Sequence, residues 1–473
     1  MDIQKNYEKI KKILKNHHQS HIFAFWDQLN KEQRQSLLAQ IQRLDFEKID
    51  SWVTNIIKNP ASEALSADFG PAWSYHPSPV GPQQRRKYTQ AVKLGRELIS
   101  AGKVAAFVVA GGQGTRLGFD GPKGNFPISP VKNKTLFQIF AETIAAVSQR
   151  YQACCPWYVM TSPLNHEQTI EIFRENKYYG LDKKNVFIFQ QGTLPNFSPS
   201  GRILLADKST IACSPDGHGG SFKALNNSGA LDDMKKRGVE YLSYWQVDNP
   251  LIKIFDPLFI GLHVLNKAQM SSKALIKTGP KEKVGNFCLI DGRVTVIEYS
   301  DLPDELASKR NSDGSLVFEL GSIAIHIISR SFVESLNADD FSLPLHKAVK
   351  KIPHVDEKGN TVESNGVKLE SFVFDALPLA SNSVILQTIR SEEFAPTKNA
   401  TGVDSAETAR QMMVERAAGW LESAGVTIPK KVDGSVDCLL EIAPSFALEK
   451  EDIKEKLAQI PKIKPKSKVY ISC

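Results

Sequence analysis

Val104-Ala-Ala-Phe-Val-Val109 is an apolar run without a charge, and Ala110-Gly-Gly-Gln-Gly-Thr-Arg-Leu-Gly118 follows it directly. An unbroken apolar run of this length, ended by glycines, is how a strand buried on both faces looks in sequence. Similar runs recur at 157–161, 186–189, 241–247 and 274–277. Helical patterns lie between the first of them, at 135–147 and 166–176. Such alternation predicts a three-layer α/β sandwich. Further on, Phe287-Cys-Leu-Ile290, Asp291-Gly292 and residues 293–299 form a hairpin signal, because Asp-Gly suits a two-residue turn. The central sheet is therefore expected to be mixed.

Outward from this core the texture changes in both directions. Residues 1–100 read as helical: Asn30 followed by Gln33 resembles a capping box, and Leu37, Ile41 and Leu44 then recur at helical spacing. Residues 59–82 carry many Pro, Ser and Gly and read as a long loop, with another helix over 86–100. From about Ser391 the pattern is a helix over 405–424, stopped by Gly425, and then a smaller α/β tail. This divides the chain into an N-terminal helical region (1–100), a central domain that carries the glycine segment (101–390) and a C-terminal domain (391–473). The default reading of the first region is a solvated helical cap, and a dimer surface there is an option. No internal repeat marks an appended solenoid.

The totals exclude several classes. At 473 residues, 41% hydrophobic and 23% charged, the chain is an ordinary soluble globular protein of two or three domains. No stretch approaches the ~20 apolar residues of a membrane span, and the Lys-rich start MDIQKNYEKIKKILKN is no signal segment. A cytoplasmic protein is expected. Net charge is +7, but Lys and Arg are scattered, which fits small anionic substrates as well as anything and shows no nucleic-acid module. Six cysteines without a Cys-x-x-Cys pair make neither a disulfide scaffold nor a zinc site. His17, His18 and His21 read as a polar helix face rather than a metal site.

The glycine segment carries the chemistry. Gly111, Gly112 and Gly114 leave the backbone bare, so its N–H groups can approach a nucleotide closely. Arg116 and Lys123, the latter in Pro122-Lys123-Gly124, supply two cations for a phosphate chain, one forked and one a point charge. A dinucleotide fingerprint fails because Leu117 stands where its third glycine belongs, and a P-loop fails because no Gly-Lys-Ser/Thr follows.

Residues 111–123 resemble the nucleotide loop of the UDP-sugar pyrophosphorylases, above all the eukaryotic-type UDP-N-acetylglucosamine enzymes. The resemblance extends from about Tyr88 to about Arg410, through Phe189-Gln-Gln-Gly-Thr-Leu-Pro195, Pro215-Asp-Gly-His-Gly-Gly220, Val247-Asp-Asn249, Val296-Ile-Glu-Tyr-Ser300, Glu370-Ser-Phe-Val-Phe-Asp375 and Glu393-Phe-Ala-Pro-Thr-Lys-Asn399. It implies a Rossmann-like, GT-A-like nucleotidyltransferase sandwich that joins UTP to a sugar 1-phosphate with Mg²⁺, releasing pyrophosphate and a UDP-sugar. It further implies that Gly112 and Gly217 admit the uracil, that Gln191 reads its edge, and that Gly111, Gly114 and His218 complete the nucleotide set. Asp248 matches the metal ligand. Gly285, Glu298, Ser322, Phe372 and Phe374 match sugar contacts, and Lys368 and Lys398 match basic residues near the sugar phosphate, Lys398 joining Arg116 and Lys123 in the catalytic set.

Each residue also has a plainer reading: Gln191 pairing a sheet edge, Asp248 capping the next element, Phe372 and Phe374 filling the core side of a strand, the lysines lying on the surface. Two positions depart from the N-acetylhexosamine pattern. His218 and Ser322 stand where those members have Asn, and Gly-His-Gly is the form of UDP-glucose and broad UDP-sugar enzymes. Gly220 and Ser-Phe-Lys-Ala-Leu225 point back to the N-acetylglucosamine members. The favoured substrate is N-acetylglucosamine 1-phosphate. The alternatives are glucose 1-phosphate, a broad range of hexose 1-phosphates, or a non-enzymatic nucleotide-sugar binder. The oligomeric state is left open.

Overall fold

The apolar run Val104–Val109 is a central strand of a ten-stranded mixed sheet. The computed structural model describes residues 3–59, 68–338 and 342–473. One compact unit comprises Ser66–Gln190, Phe222–Phe341 and Ala376–Cys473; the other comprises Met1–Leu65, Gln191–Ser221 and Ser342–Asp375.

In the first unit the sheet order is Phe69–Pro71, Gly285–Ile290, Leu320–Ser329, Tyr241–Gln246, Val104–Val109, Trp157–Thr161 and Val186–Gln190. The last four run parallel. Leu320–Ser329 is antiparallel to Tyr241–Gln246 and also pairs with Met270–Ile276, which in turn runs parallel to Ser383–Gln387. The Asp-Gly hairpin joins Gly285–Ile290 to Arg293–Ile297. The sheet is mixed, as the hairpin signal implied.

Both faces are covered, which is why the central strands need no polar positions. On one face Ala106, Val108, Trp157 and Val159 pack with Phe137, Phe140 and Ile144 of helix Leu136–Tyr151 and with Tyr88, Ala91 and Ile99 of helix Gly81–Ser100. On the other, Phe107 meets Phe189 and Tyr244, and Tyr158 donates to Asp233 of helix Ala230–Arg237. Truncating a side chain as buried as Phe107 to Ala would cost about 3–5 kcal/mol. Helix Ala406–Ser423 is capped by Ser405 in a box with Thr408, and its second half joins a smaller core with the parallel strands Leu439–Ile442 and Lys468–Ile471. No described helix is long and apolar enough to cross a membrane.

The second unit departs from the solvated-cap expectation. Asn30 does cap helix Lys31–Ile41 with Gln33 in a full capping box. But Leu14, Ile22, Leu37, Ile41 and Ile49 are buried in one core with Phe197, Ile203, Ile211, Val367 and Leu369. Two glutamine amides act as strand partners for this core. Gln19 donates to the Gly201 carbonyl and accepts from the Ile203 amide at 3.0 and 2.9 Å, and Gln40 does the same with Ser209 and Ile211. His17 pairs with Asp50 and His21 with the Ile203 carbonyl, so both are structural. A ten-residue-per-strand hairpin, His346–Val355 with Thr361–Glu370, completes the unit. Of the loop expected over 59–82, residues 60–67 lie outside the described residues, Phe69–Pro71 forms an edge strand, and helix Gly81–Ser100 begins earlier than expected, at Gly81.

Candidate active site

The glycine segment leaves the carboxyl end of Val104–Val109 and folds back on itself. The Gly114 amide donates to the Gly121 carbonyl at 2.9 Å, and the Lys123 amide donates to the Gly112 carbonyl at 3.0 Å. A Cβ on Gly114 would stand 2.7 Å from the Phe119 ring, so only glycine fits there. Over Gly112 the nearest atom to such a Cβ is Lys123 Cδ at 4.0 Å, which leaves that backbone bare. Arg116 is exposed on the turn Thr115–Leu117.

Lys123 is the opposite case. It is 9% exposed, and its ammonium lies 3.6 Å from Asp248 Oδ2. Asp248 is brought there by the neighbouring parallel strand Tyr241–Gln246, at the carboxyl edge where α/β sheets bind ligands. The Thr397 amide donates to the Asp248 carbonyl at 2.9 Å, which brings the half-buried Lys398 to the same edge. Burial holds the neighbouring Asp404 carboxyl above its usual range against the opposing pull of Lys398, and the Asp248 carboxylate adds to the rise.

Three of the residues expected to contact sugar also converge. Leu320–Ser329 runs antiparallel to Tyr241–Gln246, so its first residues project past the end that delivers Asp248. Ser322 pairs there with Gly285. A Cβ on Gly285 would lie 3.7 Å from both Glu298 Oε1 and Ser322 Cβ, and 2.5 Å from Val296, so Gly285 keeps this corner open.

The remaining predicted residues belong to the other unit. Gln191 is buried, and its Nε2 donates to Asp216 Oδ1 at 3.1 Å and to the Gly217 carbonyl at 3.3 Å. Gly217 has φ +85°, and a Cβ would come within 2.3 Å of the Ser371 carbonyl oxygen. Phe372 and Phe374 are not strand residues: the chain leaves Thr361–Glu370 and enters a 3₁₀ turn over Val373–Leu379. Phe372 stacks between His218 and His346, with centroids at 5.2 and 4.4 Å, and Phe374 tilts against His218. Lys368 is half-buried on the hairpin strand, opposite Ala348.

His218 Nδ1 accepts from the Val373 amide at 3.0 Å, so the neutral ring carries its proton on Nε2. Burial, with His346 adding repulsion, pushes its pKa down to about 4 from 6.5. Between those values only the unfolded chain binds the proton, so stability is lost as pH falls through that window. His218→Asn should therefore show a smaller drop in thermal midpoint from pH 7 to pH 4.5 than the parent. An equal or larger drop would contradict this environment for His218.

Sequence reasoning missed the brace beneath the glycine loop. Asn165 Nδ2 donates to the carbonyls of Ala110 and Gly112 at 3.0 and 3.2 Å, and Ser162 Oγ donates to that of Gly111 at 2.8 Å. Both sit just past strand Trp157–Thr161, and a polar pair at the carboxyl end of a buried strand was the available signal.

Among the described residues no group of three or more His, Cys, Asp or Glu could by itself hold a metal ion. Asp248 offers a single carboxylate, its side chain 14% exposed. That donor set fits Mg²⁺, which is commonly held by one or two carboxylates with substrate phosphates and water completing the shell.

A glycine loop that exposes its backbone, a buried lysine beside a carboxylate, and both at the carboxyl edge of a mixed α/β sheet define a nucleotidyltransferase. The chain belongs to the UTP–glucose-1-phosphate uridylyltransferase family, whose profile matches residues 78–473, and it is a uridylyltransferase. It is 37% identical to the human UDP-N-acetylhexosamine pyrophosphorylase-like protein 1 over an alignment of 473 residues covering 92% of each chain. It is 33% identical to the Saccharomyces cerevisiae UDP-N-acetylglucosamine pyrophosphorylase, over 92% of this chain and 94% of that one. The crystal structure of the Trypanosoma brucei UDP-N-acetylglucosamine pyrophosphorylase, in complex with an inhibitor, is similar with a TM-score of 0.81 at 25% identity. That match covers 99% of this chain and 98% of the other.

Proposed function

We propose that the enzyme converts UTP and N-acetylglucosamine 1-phosphate to UDP-N-acetylglucosamine and pyrophosphate, in the cytosol and with Mg²⁺. The observation that carries the chemistry is the buried Lys123–Asp248 pair set against the open backbone of Gly112. The choice of sugar is supported by the names of the relatives.

The sugar 1-phosphate is already an anionic nucleophile, so no general base is required. Its phosphate oxygen attacks the α-phosphorus of UTP, the bond from that phosphorus to the β-phosphate breaks, and pyrophosphate leaves with the electron pair. The obstacles are repulsion between anions and charge growing on the leaving group. Lys123 neutralises the α-phosphate, Arg116 the departing pyrophosphate, and Lys398 holds the incoming sugar phosphate. Lys368 adds a second cation for that phosphate. Asp248 would hold Mg²⁺, which when bound supplies further neutralisation of phosphate charge.

Gly111 and Gly112 present backbone to the nucleotide, while Gly114, buried under Phe119 with its amide on the Gly121 carbonyl, holds the fold of the loop behind them. In Gln191 both hydrogen bonds run from Nε2. That leaves Oε1 as the acceptor, which suits the imide N–H of uracil, with the Gly217 backbone beside it. His218, with its proton on Nε2, offers a donor to the nucleotide. Glu298 and Ser322 bind sugar hydroxyls over Gly285, and Phe372 and Phe374 line the sugar.

Pyrophosphate release with UTP, Mg²⁺ and a panel of sugar 1-phosphates tests the choice of sugar. The highest kcat/KM should go to N-acetylglucosamine 1-phosphate. A higher value for glucose or galactose 1-phosphate would make His218 and Ser322 the deciding residues and replace this substrate. If no sugar phosphate reacted while UTP bound, the catalytic reading itself would fall.

A further inference from the structure

Asp248 and Lys398 come from loops far apart in sequence, and the reaction needs them at a fixed spacing. Three sets of hydrogen bonds join those loops. The Thr397 amide donates to the Asp248 carbonyl at 2.9 Å. Arg416 Nη1 donates to the Leu251 carbonyl at 3.0 Å and to the Glu392 carbonyl at 3.2 Å, one on each loop. Between these lies Asn249, 4% exposed. Its Nδ2 donates to the Glu393 carbonyl at 2.6 Å, and its Oδ1 accepts from the Ala395 amide at 3.1 Å.

That last pair is a specific fit. Glu393 and Ala395 are two residues apart, so one side-chain amide satisfies a carbonyl and an N–H of the same segment, as a neighbouring strand would. Oδ1 also accepts from the Leu251 amide at 3.3 Å, which folds the Asp248 loop around its own side chain. The far side is anchored too. Lys273, 1% exposed, binds Asp256 at 2.6 Å and both carboxylate oxygens of Glu393, and Thr388 Oγ1 donates to the same carboxylate. Glu393 is thus immobile at its side chain while its carbonyl receives Asn249.

We infer that Asn249 is a positioning residue for the uridylyl transfer, setting the distance between the Asp248 carboxylate and the Lys398 ammonium by clamping their loops together. The inference rests on the proposed roles of those two groups. Asn249 touches no reacting atom. It acts by removing the freedom of the two loops, which is the function of partners behind a metal ligand.

The test compares Asn249→Ala, Asn249→Asp, Asp248→Asn and a control, Ser271→Ala, in the full-length enzyme. Asn249→Asp keeps the side-chain volume and the acceptor, replaces the donor to the Glu393 carbonyl with a repelling oxygen and adds a negative charge, so it breaks the clamp at constant size and serves if the alanine variant does not fold. Ser271 is buried against His263 Nδ1 at 2.8 Å in the same unit, and its loss lowers stability without touching either loop. Both Asn249 variants should lose about 10–100-fold in kcat and need about tenfold more Mg²⁺ for half-maximal rate. The KM for UTP should change far less. Ser271→Ala should lower the thermal midpoint with kcat and Mg²⁺ dependence unchanged. If Asp248→Asn is inactive while both Asn249 variants keep the parent's kcat and Mg²⁺ dependence, the positioning inference is overturned and the site reading stands. If Asp248→Asn keeps its activity, the site reading fails and takes the inference with it. If Ser271→Ala shifts the Mg²⁺ dependence as much as the Asn249 variants do, the shift reports lost stability and the inference is likewise overturned.

Discussion

Lys123→Ala is expected to lower kcat by about 10²–10³-fold, with a smaller change in the KM for UTP. A lysine 9% exposed gives up hydration that the Asp248 carboxylate at 3.6 Å only partly replaces. Such a cation is poised for a second anion. On the proposed mechanism an arriving α-phosphate would complete its shell, and the interaction would strengthen as charge develops in the transition state. The ground state also gains from Lys123, but contacts to the rest of the nucleotide would carry most of UTP binding, so kcat bears the loss. Steady-state kinetics with saturating sugar phosphate checks this. A variant that kept kcat within about threefold would remove Lys123 from the catalytic set.

Asp248→Asn should be at least as damaging, about 10³-fold in kcat, and should abolish the saturable dependence on Mg²⁺. The substitution preserves shape and deletes charge. The backbone link from the Thr397 amide to the Asp248 carbonyl survives it, and so does the clamp through Asn249. The thermal midpoint should accordingly stay within a few degrees of the parent while the rate collapses. A large fall in midpoint would instead mean that the carboxylate matters to the fold. An Mg²⁺ dependence like the parent's would mean that the ion is held elsewhere.

The parts of this molecule that were legible in its sequence are those written locally. Val104–Val109 and its parallel neighbours are read from largely apolar runs because burial on both faces leaves little room for polar positions. The hairpin at Asp291-Gly292 and the helix capped by Ser405 are read from turn and cap chemistry acting over four residues. The glycine loop is read because bare backbone and two cations are a chemical requirement. What escaped depends on distant partners. Gln19 and Gln40 look like surface glutamines until Gly201, Ile203, Ser209 and Ile211 arrive from more than a hundred residues away. That contact turned the expected solvated cap into part of a core.

The start of helix Gly81–Ser100 reads as loop in the sequence because Gly81-Pro82 looks like a break, although proline is favoured in a first helical turn. Phe372 and Phe374 alternate like strand residues, yet the chain has already left the strand at Glu370, and a 3₁₀ turn begins between them at Val373. In the site, Asn165, Ser162 and Asn249 were not singled out as braces because a brace is defined by the carbonyls it reaches, not by its own surroundings in sequence. Asn249 was visible only as the residue after Asp248.

The most direct test of the central claim is a crystal structure with UTP and Mg²⁺ in the absence of sugar phosphate. The expected result has an α-phosphate oxygen within hydrogen-bond distance of Lys123 Nζ, the ion on the Asp248 carboxylate, and the nucleotide lying over the bare backbone of Gly112. A triphosphate bound away from Lys123, or an ion held without Asp248, would contradict it.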